Sequence, residues 1–354
     1  MVEAVRKRVS VIVPVYNGRD VLERSLAALS ASDLPRSSWE LVVVDDASRD
    51  DSVDVARAWA DTVLRLEGSP RGPAFARNHG SETAQAGILA FVDADVCVHP
   101  STLRRLVEVL EADAGVCAVF GAYDQAPPAP GTISQYRNLL HHYVHAGNAG
   151  DADTFWAGCG AIRRSEFLRA GGFDAQRYPR PQIEDIALGY RLRALGGRVL
   201  LDPDIQATHL KRWTLRGMVR NDLFDRAVPW MHLLMEQQVI GRGTLNIRAR
   251  ERVLTALAAL APMSLLAAAL TRSSAWLVVA LVCLCAIVVA NAALFRWLAR
   301  IRGAAFALRA IPLHLMHYGL NAVAVAIAAA QRVLRRTGRA SHARFRTAAR
   351  RGVQ

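Results

Sequence analysis

The first hundred residues alternate short apolar runs with segments whose apolar residues recur at helical spacing. The predicted strands cover 9–15, 39–45 and 88–95, and the predicted helices cover 19–31, 52–60 and 74–86. Because each strand is a nearly continuous apolar run, we expect both faces of the sheet to be covered. Strands that alternate with helices in this way are typical of a mainly parallel sheet. The pattern therefore predicts an α/β domain.

After Gly121 the pattern becomes less regular. It predicts a helix over 183–195, short strands near 198–201 and 205–209, and an amphipathic helix over 214–238. We expect these elements to complete the same globular domain, which we assign to residues 1–245.

Charge divides the chain at the same place. The sequence holds 44 Lys and Arg against 31 Asp and Glu, a net charge of +13. From residue 246 onward there are 16 Arg and one acid, Glu251, a charge of +15; the first 245 residues hold 28 basic and 30 acidic residues, a charge of −2. Basic charge beside apolar runs indicates a membrane surface and argues against a nucleic-acid partner. We therefore predict membrane helices over 246–333 and a basic tail over 334–354.

The membrane part contains apolar stretches at 253–270, 275–295 and 304–330. About 20 residues cross a bilayer, and arginines flank the first two stretches as they do on a cytoplasmic side. The third stretch has polar residues on one helical face, namely His314, His317, Tyr318 and Asn321. We expect two spans and a third helix in the membrane interface, although such a stripe can also face another helix.

Polar residues collect where the predicted strands end, which is where parallel α/β sheets bind ligands. Asp45 and Asp46 end the second strand, and Asp93 and Asp95 follow the third. Residues i and i+2 of an extended chain point the same way, so Asp93 and Asp95 suit a divalent cation with room for a diphosphate. Solvated loop acids are the alternative for this pair, and helix capping is the alternative for Asp45 and Asp46.

Six motifs, in order, resemble glycosyltransferase family 2. They are VSVIVPVYNG, VVVDDASRDDS, RGPAFARNHG, FVDAD, AGCGAIRRSEFLRAGGFD and IEDIALGYRLRALGGRV, and they cover roughly residues 9–240. The resemblance implies the Rossmann-like GT-A fold. It also implies inverting transfer of a sugar from a nucleotide diphosphate donor, with Mg²⁺ or Mn²⁺ as cofactor.

Motif positions suggest roles for individual residues. The expected nucleotide and donor contacts are Pro14, Tyr16, Asn17, Asp45, Asp46, Arg77, Asp93 and Arg212. The resemblance implies that Asp95 ligates the metal beside Asp93 and that Asp185 is the catalytic base. Asp185 opens a predicted helix, whose N-terminus favours a charged carboxylate. Capping is the alternative role for Asp185, and Glu184 could exchange roles with it.

The segment from His209 to Trp213 resembles the Q-x-x-R-W signature of processive polysaccharide synthases, with His in the Gln position. We expect His209 to lie near the metal, where imidazole would favour Mn²⁺; a structural histidine is the alternative. Arg212 matches a diphosphate in shape and charge. Trp213 could stack on an acceptor sugar or belong to the core.

These features predict a membrane-anchored glycosyltransferase at the cytoplasmic face of the inner membrane, with a lipid or lipid-linked glycan as acceptor. A processive polysaccharide synthase subunit is an alternative, but two or three apolar segments are few for an export channel. A non-catalytic membrane scaffold that keeps the fold and a nucleotidyltransferase are further alternatives. The sequence has no GxGxxG after a strand and no GxxxxGK[ST], which disfavours dinucleotide binding and P-loop phosphotransfer.

Overall fold

The computed structural model describes residues 7–237 and 248–351. Contacts divide the chain into two compact units. The first unit contains the described residues up to Leu215, and the second contains those from Arg216 onward. The boundary between the two units therefore lies at the start of the amphipathic helix predicted over 214–238, whereas we predicted it at residue 245. The reason is packing: within the second unit, this helical region contacts the C-terminal helix.

The strands of the first unit are β1 (Val9–Val15), β2 (Trp39–Asp45), β3 (Thr62–Arg65), β4 (Ile88–Val92), β5 (Val96–Val98), β6 (Val116–Tyr123), β7 (Gly150–Ala152), β8 (Cys159–Arg163) and β9 (Arg198–His209). Its α-helices are α1 (Arg19–Ser30), α2 (Ser52–Arg57), α3 (Pro73–Thr83), α4 (Thr102–Ala112), α5 (Thr132–Ala146), α6 (Arg164–Arg169) and α7 (Glu184–Ala194), and a 3₁₀ helix covers Arg36–Ser38. The strands and helices predicted before residue 95 are confirmed with shifts at their ends. The strand predicted over 88–95 ends at Val92, so Asp93 and Asp95 lie in a turn rather than in extended chain and do not share one face. The two short strands predicted between 198 and 209 form one strand, β9.

The predicted α/β fold class is confirmed, with a sheet that is mixed rather than mainly parallel. Its order is β3-β2-β1-β4-β8-β6-β9-β5, with β7 also paired to β9. The strands from β1 to β4 pair in parallel, as their alternation with helices predicted. Strand β8 runs antiparallel to both β4 and β6, and β5 runs antiparallel to β9. The run of parallel pairs is interrupted at β8, and β6 and β9 again pair in parallel.

Both faces of this sheet are covered. One face packs against α1 and α4, and the other packs against α3, α6 and α7. Helix α7 comes very close to the loop before β8, since a Cβ atom on Gly189 would lie 2.2 Å from the backbone nitrogen of Phe155. Only glycine allows this approach, and it brings the start of α7 beside the end of β4.

The second unit is helical. Its elements are α8 (Leu215–Arg220), a π-helical segment (Asn221–Ala227), α9 (Val228–Gln237), α10 (Ala249–Thr271), α11 (Ala275–Ala290), α12 (Ala292–Arg302) and α13 (Ala304–Arg351). The helix predicted over 214–238 is confirmed through Gln237. Helix α13 continues into the predicted tail at 334–354, and residues 246 and 247 of the predicted membrane region lie outside the described residues.

Two of these helices are long and apolar enough to cross a membrane: α10 and the part of α13 from Ala304 to Leu334. Helices α11 and α12 would make a third span only if they are counted together, and they are bent by 59° at the break between them. The second apolar stretch was predicted to run unbroken over 275–295. Its straight helix ends at Ala290, before the bend.

The polar stripe of α13 faces other helices of its own unit, which is the alternative that the sequence left open. The Tyr318 hydroxyl donates to Glu251 Oε2 in α10 at 2.6 Å. The His314 ring lies edge-on to Phe295 in α12, with 5.5 Å between the ring centroids. Both stripe residues are buried.

Candidate active site

The ends of β1, β2 and β4 lie along one edge of the sheet because these strands pair in parallel. Pro14 is buried within β1, while Tyr16, just beyond its end, is 48% exposed. Asn17 takes a positive φ of 48°, which Asn tolerates better than most residues. Its side-chain oxygen accepts a hydrogen bond from the Arg49 backbone N–H at 2.8 Å, and its own backbone N–H donates to Ser48 Oγ. Asn17 thus ties together the loops that follow β1 and β2.

Asp46 organises the turn that leads into α3. Its two carboxylate oxygens accept the backbone N–H groups of Arg71 at 2.8 Å and Gly72 at 2.7 Å. Its neighbour Asp45 is fully buried and accepts the Ser48 amide through Oδ2 at 3.2 Å. Asp45 Oδ1 has no hydrogen-bond partner within the described part of the chain. A buried acceptor without a partner is costly, so this oxygen is suited to a ligand donor.

Arg77 is the centre of a buried ion network. It is 4% exposed and lies on α3, with Nη2 at 2.6 Å from Asp93 Oδ1 and Nη1 at 2.8 Å from Glu184 Oε1. Burial alone would lower the pKa of Arg77, but the charges of Asp93, Glu184 and Asp185 outweigh it and raise that pKa. Arg77, predicted as a nucleotide contact, therefore links the acid pair after β4 to the start of α7.

The same network affects Asp93. Burial, the nearby charge of Asp95 and that of Glu184 raise the pKa of Asp93, although Arg77 pulls it down. Asp93 is thus paired with Arg77, while burial and the neighbouring carboxylates disfavour its ionised form.

Asp95 instead faces His209. Strands β5 and β9 pair Val96 with His209, and the Leu210 amide donates to the Asp95 carbonyl at 2.8 Å. This pairing leaves His209 Nε2 at 3.4 Å from Asp95 Oδ2. Burial opposes ionisation of Asp95, but the hydrogen bond and charge of His209 and the charge of Lys211 prevail and lower its pKa.

Helix α5 orients the histidine. Asn138 Oδ1 lies 2.7 Å from His209 Nδ1, and Asn138 Nδ2 donates to the Lys211 carbonyl at 3.4 Å. With the amide oriented in this way, Nδ1 of His209 donates its proton to Asn138. In neutral His209 the lone pair of Nε2 therefore points at Asp95. Tyr123 stacks on the histidine ring at 4.3 Å between centroids, which fixes the ring plane.

The sequence predicts a divalent cation at Asp93, Asp95 and His209. No group of three or more His, Cys, Asp or Glu side chains that could hold a metal occurs in the described ranges, and Asp93 is paired with Arg77. The pair of Asp95 and His209 still fits a divalent cation, because loss of the Nε2 proton leaves a nitrogen lone pair of His209 facing the Asp95 carboxylate at 3.4 Å. Cations in nucleotide sites often take one or two protein ligands and complete their shell with phosphate oxygens and water.

Glu184 and Asp185 have different surroundings. Glu184 is 4% exposed, and its oxygens accept hydrogen bonds from Arg77 and from the Gln182 amide. Asp185 is partly exposed and accepts the Ala157 amide at 3.2 Å and the Ile186 amide at 2.7 Å. Of the two carboxylates, Asp185 is the one that an external molecule can reach.

The structure places the last two predicted site residues beside α5. Arg212 is exposed. The amide of Trp213 donates to Ser134 Oγ at 2.9 Å, and Lys211 Nζ lies 4.4 Å from the Trp213 ring centroid. One face of this indole is therefore already in contact with a cation.

Sequence reasoning missed Asn138 and the Ala157 amide. Asn138 lies in a helix without a recognisable motif, and a backbone amide leaves no trace in residue identity. Asn138 and His209 are 71 residues apart in the sequence, so their contact becomes apparent only in the folded structure.

Comparison with known proteins adds independent evidence to this geometry. The sequence profile named Glycosyl transferase family 2 matches residues 10–172. Residues 10–172 form a family 2 glycosyltransferase domain. The family 2 domain thus covers the strand ends, the acid pair after β4 and the loop before β8, while α7 and His209 lie beyond the matched region.

Two curated relatives share part of the sequence. Glycosyltransferase AglE of Haloferax volcanii is 34% identical over 131 residues, which are 36% of this chain and 43% of that protein. Validoxylamine A glucosyltransferase of Streptomyces hygroscopicus is 29% identical over 223 residues, 53% of this chain and 51% of that protein. The chain spans about half the length of these relatives.

A solved structure shares the fold. The mannosyltransferase PcManGT of Pyrobaculum calidifontis, in complex with GDP-Man and Mn²⁺, is similar with a TM-score of 0.54 and 22% identity. The similarity covers 90% of this chain and 87% of that one. At this identity it supports the GT-A-like α/β fold with C-terminal helices.

The Asp46 turn generates the first test. Asp46→Asn replaces one acceptor oxygen with an NH₂ group, so the amides of Arg71 and Gly72 can no longer both be satisfied. We expect a loss of about 1.5–3 kcal/mol, as for a hydrogen bond to a charged group, seen as a lower melting temperature of the full chain in detergent. Asp54→Asn, on the exposed face of α2, should change stability by no more than about 0.5 kcal/mol. Equal effects of the two substitutions would contradict the role of Asp46.

Proposed function

We propose that the chain is an inverting, metal-dependent glycosyltransferase. It transfers a sugar from a nucleoside diphosphate sugar to a lipid or lipid-linked glycan at the cytoplasmic face of the inner membrane. One observation carries this proposal: Arg77 connects the acid pair after β4 to the start of α7, so Asp95 with His209 and Asp185 belong to one site. A metal-assisted displacement needs these two parts together.

The donor binds along the ends of β1 and β2. Asp45 Oδ1 is a buried acceptor suited to an N–H of the nucleotide base, and exposed Tyr16 offers an aromatic face to it. Asp46, Asn17 and Pro14 shape this edge. PcManGT holds GDP-Man together with Mn²⁺, and a donor site of the same kind is proposed here.

Asp95 and His209 would hold the divalent cation next to the diphosphate of the donor. Bound there, Mg²⁺ or Mn²⁺ supplies positive charge that stabilises the leaving diphosphate. A mixed carboxylate and imidazole ligand set favours Mn²⁺. Asp93 assists as a neighbouring carboxylate held by Arg77. Arg212 is exposed and suited to the outer oxygens of the diphosphate.

Asp185 is the general base. It takes the proton from the acceptor hydroxyl as that oxygen forms a bond to the anomeric carbon and the bond to the diphosphate oxygen breaks. This single displacement inverts the anomeric configuration. The N-terminus of α7 favours the carboxylate form of Asp185, which is the form a base requires. Glu184 is the counter-ion of Arg77 and keeps that role throughout.

The apolar helices support a membrane acceptor. Helix α10 and the apolar part of α13 are long enough to cross a bilayer, and a catalytic unit tethered to the membrane meets acceptors that are anchored there. Trp213 would lie on the acceptor side. Nucleotide sugars are cytosolic, which supports the cytoplasmic face.

The proposal is tested by a donor screen with the purified full chain in detergent. Each nucleoside diphosphate sugar is offered with and without a membrane lipid extract, and release of nucleoside diphosphate is followed. The proposal expects release that depends on both the extract and a divalent cation. Release of inorganic diphosphate instead would identify a nucleotidyltransferase, and no release from any donor would favour a non-catalytic scaffold.

The metal pair generates a second prediction. Asp95→Ala should abolish the cation-dependent part of donor binding measured by calorimetry. His209→Ala should weaken Mn²⁺-supported binding more than Mg²⁺-supported binding, because the imidazole nitrogen is the softer ligand. Asp51→Ala, a surface substitution, serves as control. If chelator has no effect on donor binding in either the wild type or Asp95→Ala, the metal site is refuted.

The two carboxylates of α7 generate a third prediction. Asp185→Asn keeps the shape of the side chain and removes its basicity, so turnover should fall at least about 100-fold with donor affinity nearly unchanged. Glu184→Gln should instead lower thermal stability, since Arg77 loses a buried counter-ion. Loss of turnover without loss of stability in Glu184→Gln, combined with an active Asp185→Asn, would reverse the assignment.

A further inference from the structure

A set of polar side chains joins three helices of the second unit at one level. We call this set the polar junction; it consists of Arg250, Glu251, Asn291 and Tyr318. Tyr318 Oη donates to Glu251 Oε2 at 2.6 Å, and Arg250 Nη2 donates to Asn291 Oδ1 at 3.0 Å. The start of α10, the end of α11 and the middle of the apolar part of α13 therefore lie side by side.

An apolar hairpin extends from this junction. Helices α10 and α11 pack against each other and are joined by the short link 272–274. Large hydrophobic side chains are exposed along both helices: Val253, Leu260, Met263, Leu265, Leu266, Leu270, Trp276, Leu277, Val278, Leu281, Val282 and Val289. So much exposed apolar surface indicates contact with lipid.

The charged residues fix the depth of this hairpin. Arg250 and Glu251 would be costly at the centre of a bilayer, so the polar junction belongs at the membrane surface. From Glu251 to the end of α10 at Thr271, the helix rises about 30 Å. This rise matches the hydrocarbon thickness of about 30 Å, so the link 272–274 reaches the opposite surface.

The same junction limits α13. Tyr318 lies near the middle of the apolar stretch from Ala304 to Leu334, with about 21 Å of helix before it and about 24 Å after it. With Tyr318 at the surface, a crossing by the half before it would place the exposed Arg309 in the hydrocarbon, which is costly. The half after it packs against α9, where Arg332 donates to the Met235 carbonyl. Although α13 is long and apolar, it therefore does not cross the membrane when Tyr318 lies at the surface.

Helix α12 leaves the junction at an angle. It is bent by 59° from α11 at Asn291, and it buries Leu294 and Leu298 within the unit. Arg296 and Arg300 are exposed and four residues apart, so they share the outward face. The sequence has no acidic residue after Glu251, so no nearby carboxylate in this stretch offsets their charge.

We propose that the polar junction lies at the membrane surface, that only the α10–α11 hairpin enters the hydrocarbon, and that Arg296 and Arg300 bind the headgroups of anionic phospholipids. Guanidinium groups pair well with phosphate, and basic residues near an anionic leaflet are attracted to it. This inference rests on the membrane anchoring in the proposed function.

The test uses the full chain with its five cysteines replaced, reconstituted in phosphatidylcholine vesicles with or without phosphatidylglycerol. A spin label is attached at a single cysteine replacing either Ala293, on the outward side of α12, or Leu281, in the middle of α11. Collision with oxygen and with a water-soluble nickel complex reports depth. We expect the label at Leu281→Cys to collide with oxygen severalfold more often than the label at Ala293→Cys. The Ala293→Cys label should lie at headgroup depth and lose nickel contact when phosphatidylglycerol is present.

Matched variants separate the outcomes. Arg296→Gln with Arg300→Gln should remove the phosphatidylglycerol effect at position 293 and leave position 281 unchanged. A label at position 293 as deep as that at 281 would show one bent span and overturn the proposal. A fully aqueous label at 293 in both lipids would also overturn it. A label at 281 exposed to water would instead refute the membrane anchoring itself.

Discussion

The rest of the candidate site depends on the buried guanidinium of Arg77. A charge taken out of water must be compensated, and removal of one partner from such a pair is strongly destabilising. Two carboxylates compensate Arg77, one at the end of β4 and one at the start of α7. These contacts fix α3, the end of β4 and the start of α7 to one another. They thereby set the positions of the groups that are proposed to react.

The two reactive parts of the site follow from that arrangement. Glu184 turns inward to Arg77, so the next residue, Asp185, begins the helix with its carboxylate partly exposed. On the other side, Asp93 is held by Arg77, and Asp95 is left to face His209 through the pairing of β5 with β9. The assignment of base and counter-ion, which the sequence left open between Asp185 and Glu184, therefore has a structural basis.

Sequence patterns predicted those parts of the fold in which local composition reflects burial. Strands β1, β2 and β4 were predictable because they are covered on both faces and are nearly continuous apolar runs. The reversed direction of β8 was not, because it depends on the path of the preceding loop. The helix at 214–238 was predicted, but its amphipathic pattern does not reveal which unit it packs against. The sequence pointed to Arg77 and Asp93 separately, yet their contact arises only when α3 folds onto the sheet.

Glu184, and not Asp185, is the buried counter-ion of Arg77. A double-mutant cycle measures this directly, with the stability of β4 followed by hydrogen exchange in the full chain. Arg77→Met and Glu184→Gln should each cost about 3–5 kcal/mol, and the double variant should cost at least about 2 kcal/mol less than the sum. The cycle of Arg77→Met with Asp185→Asn should show a much smaller coupling, near the additive limit of about 0.5 kcal/mol. Additive costs for Arg77 with Glu184, together with strong coupling for Arg77 with Asp185, would contradict the account.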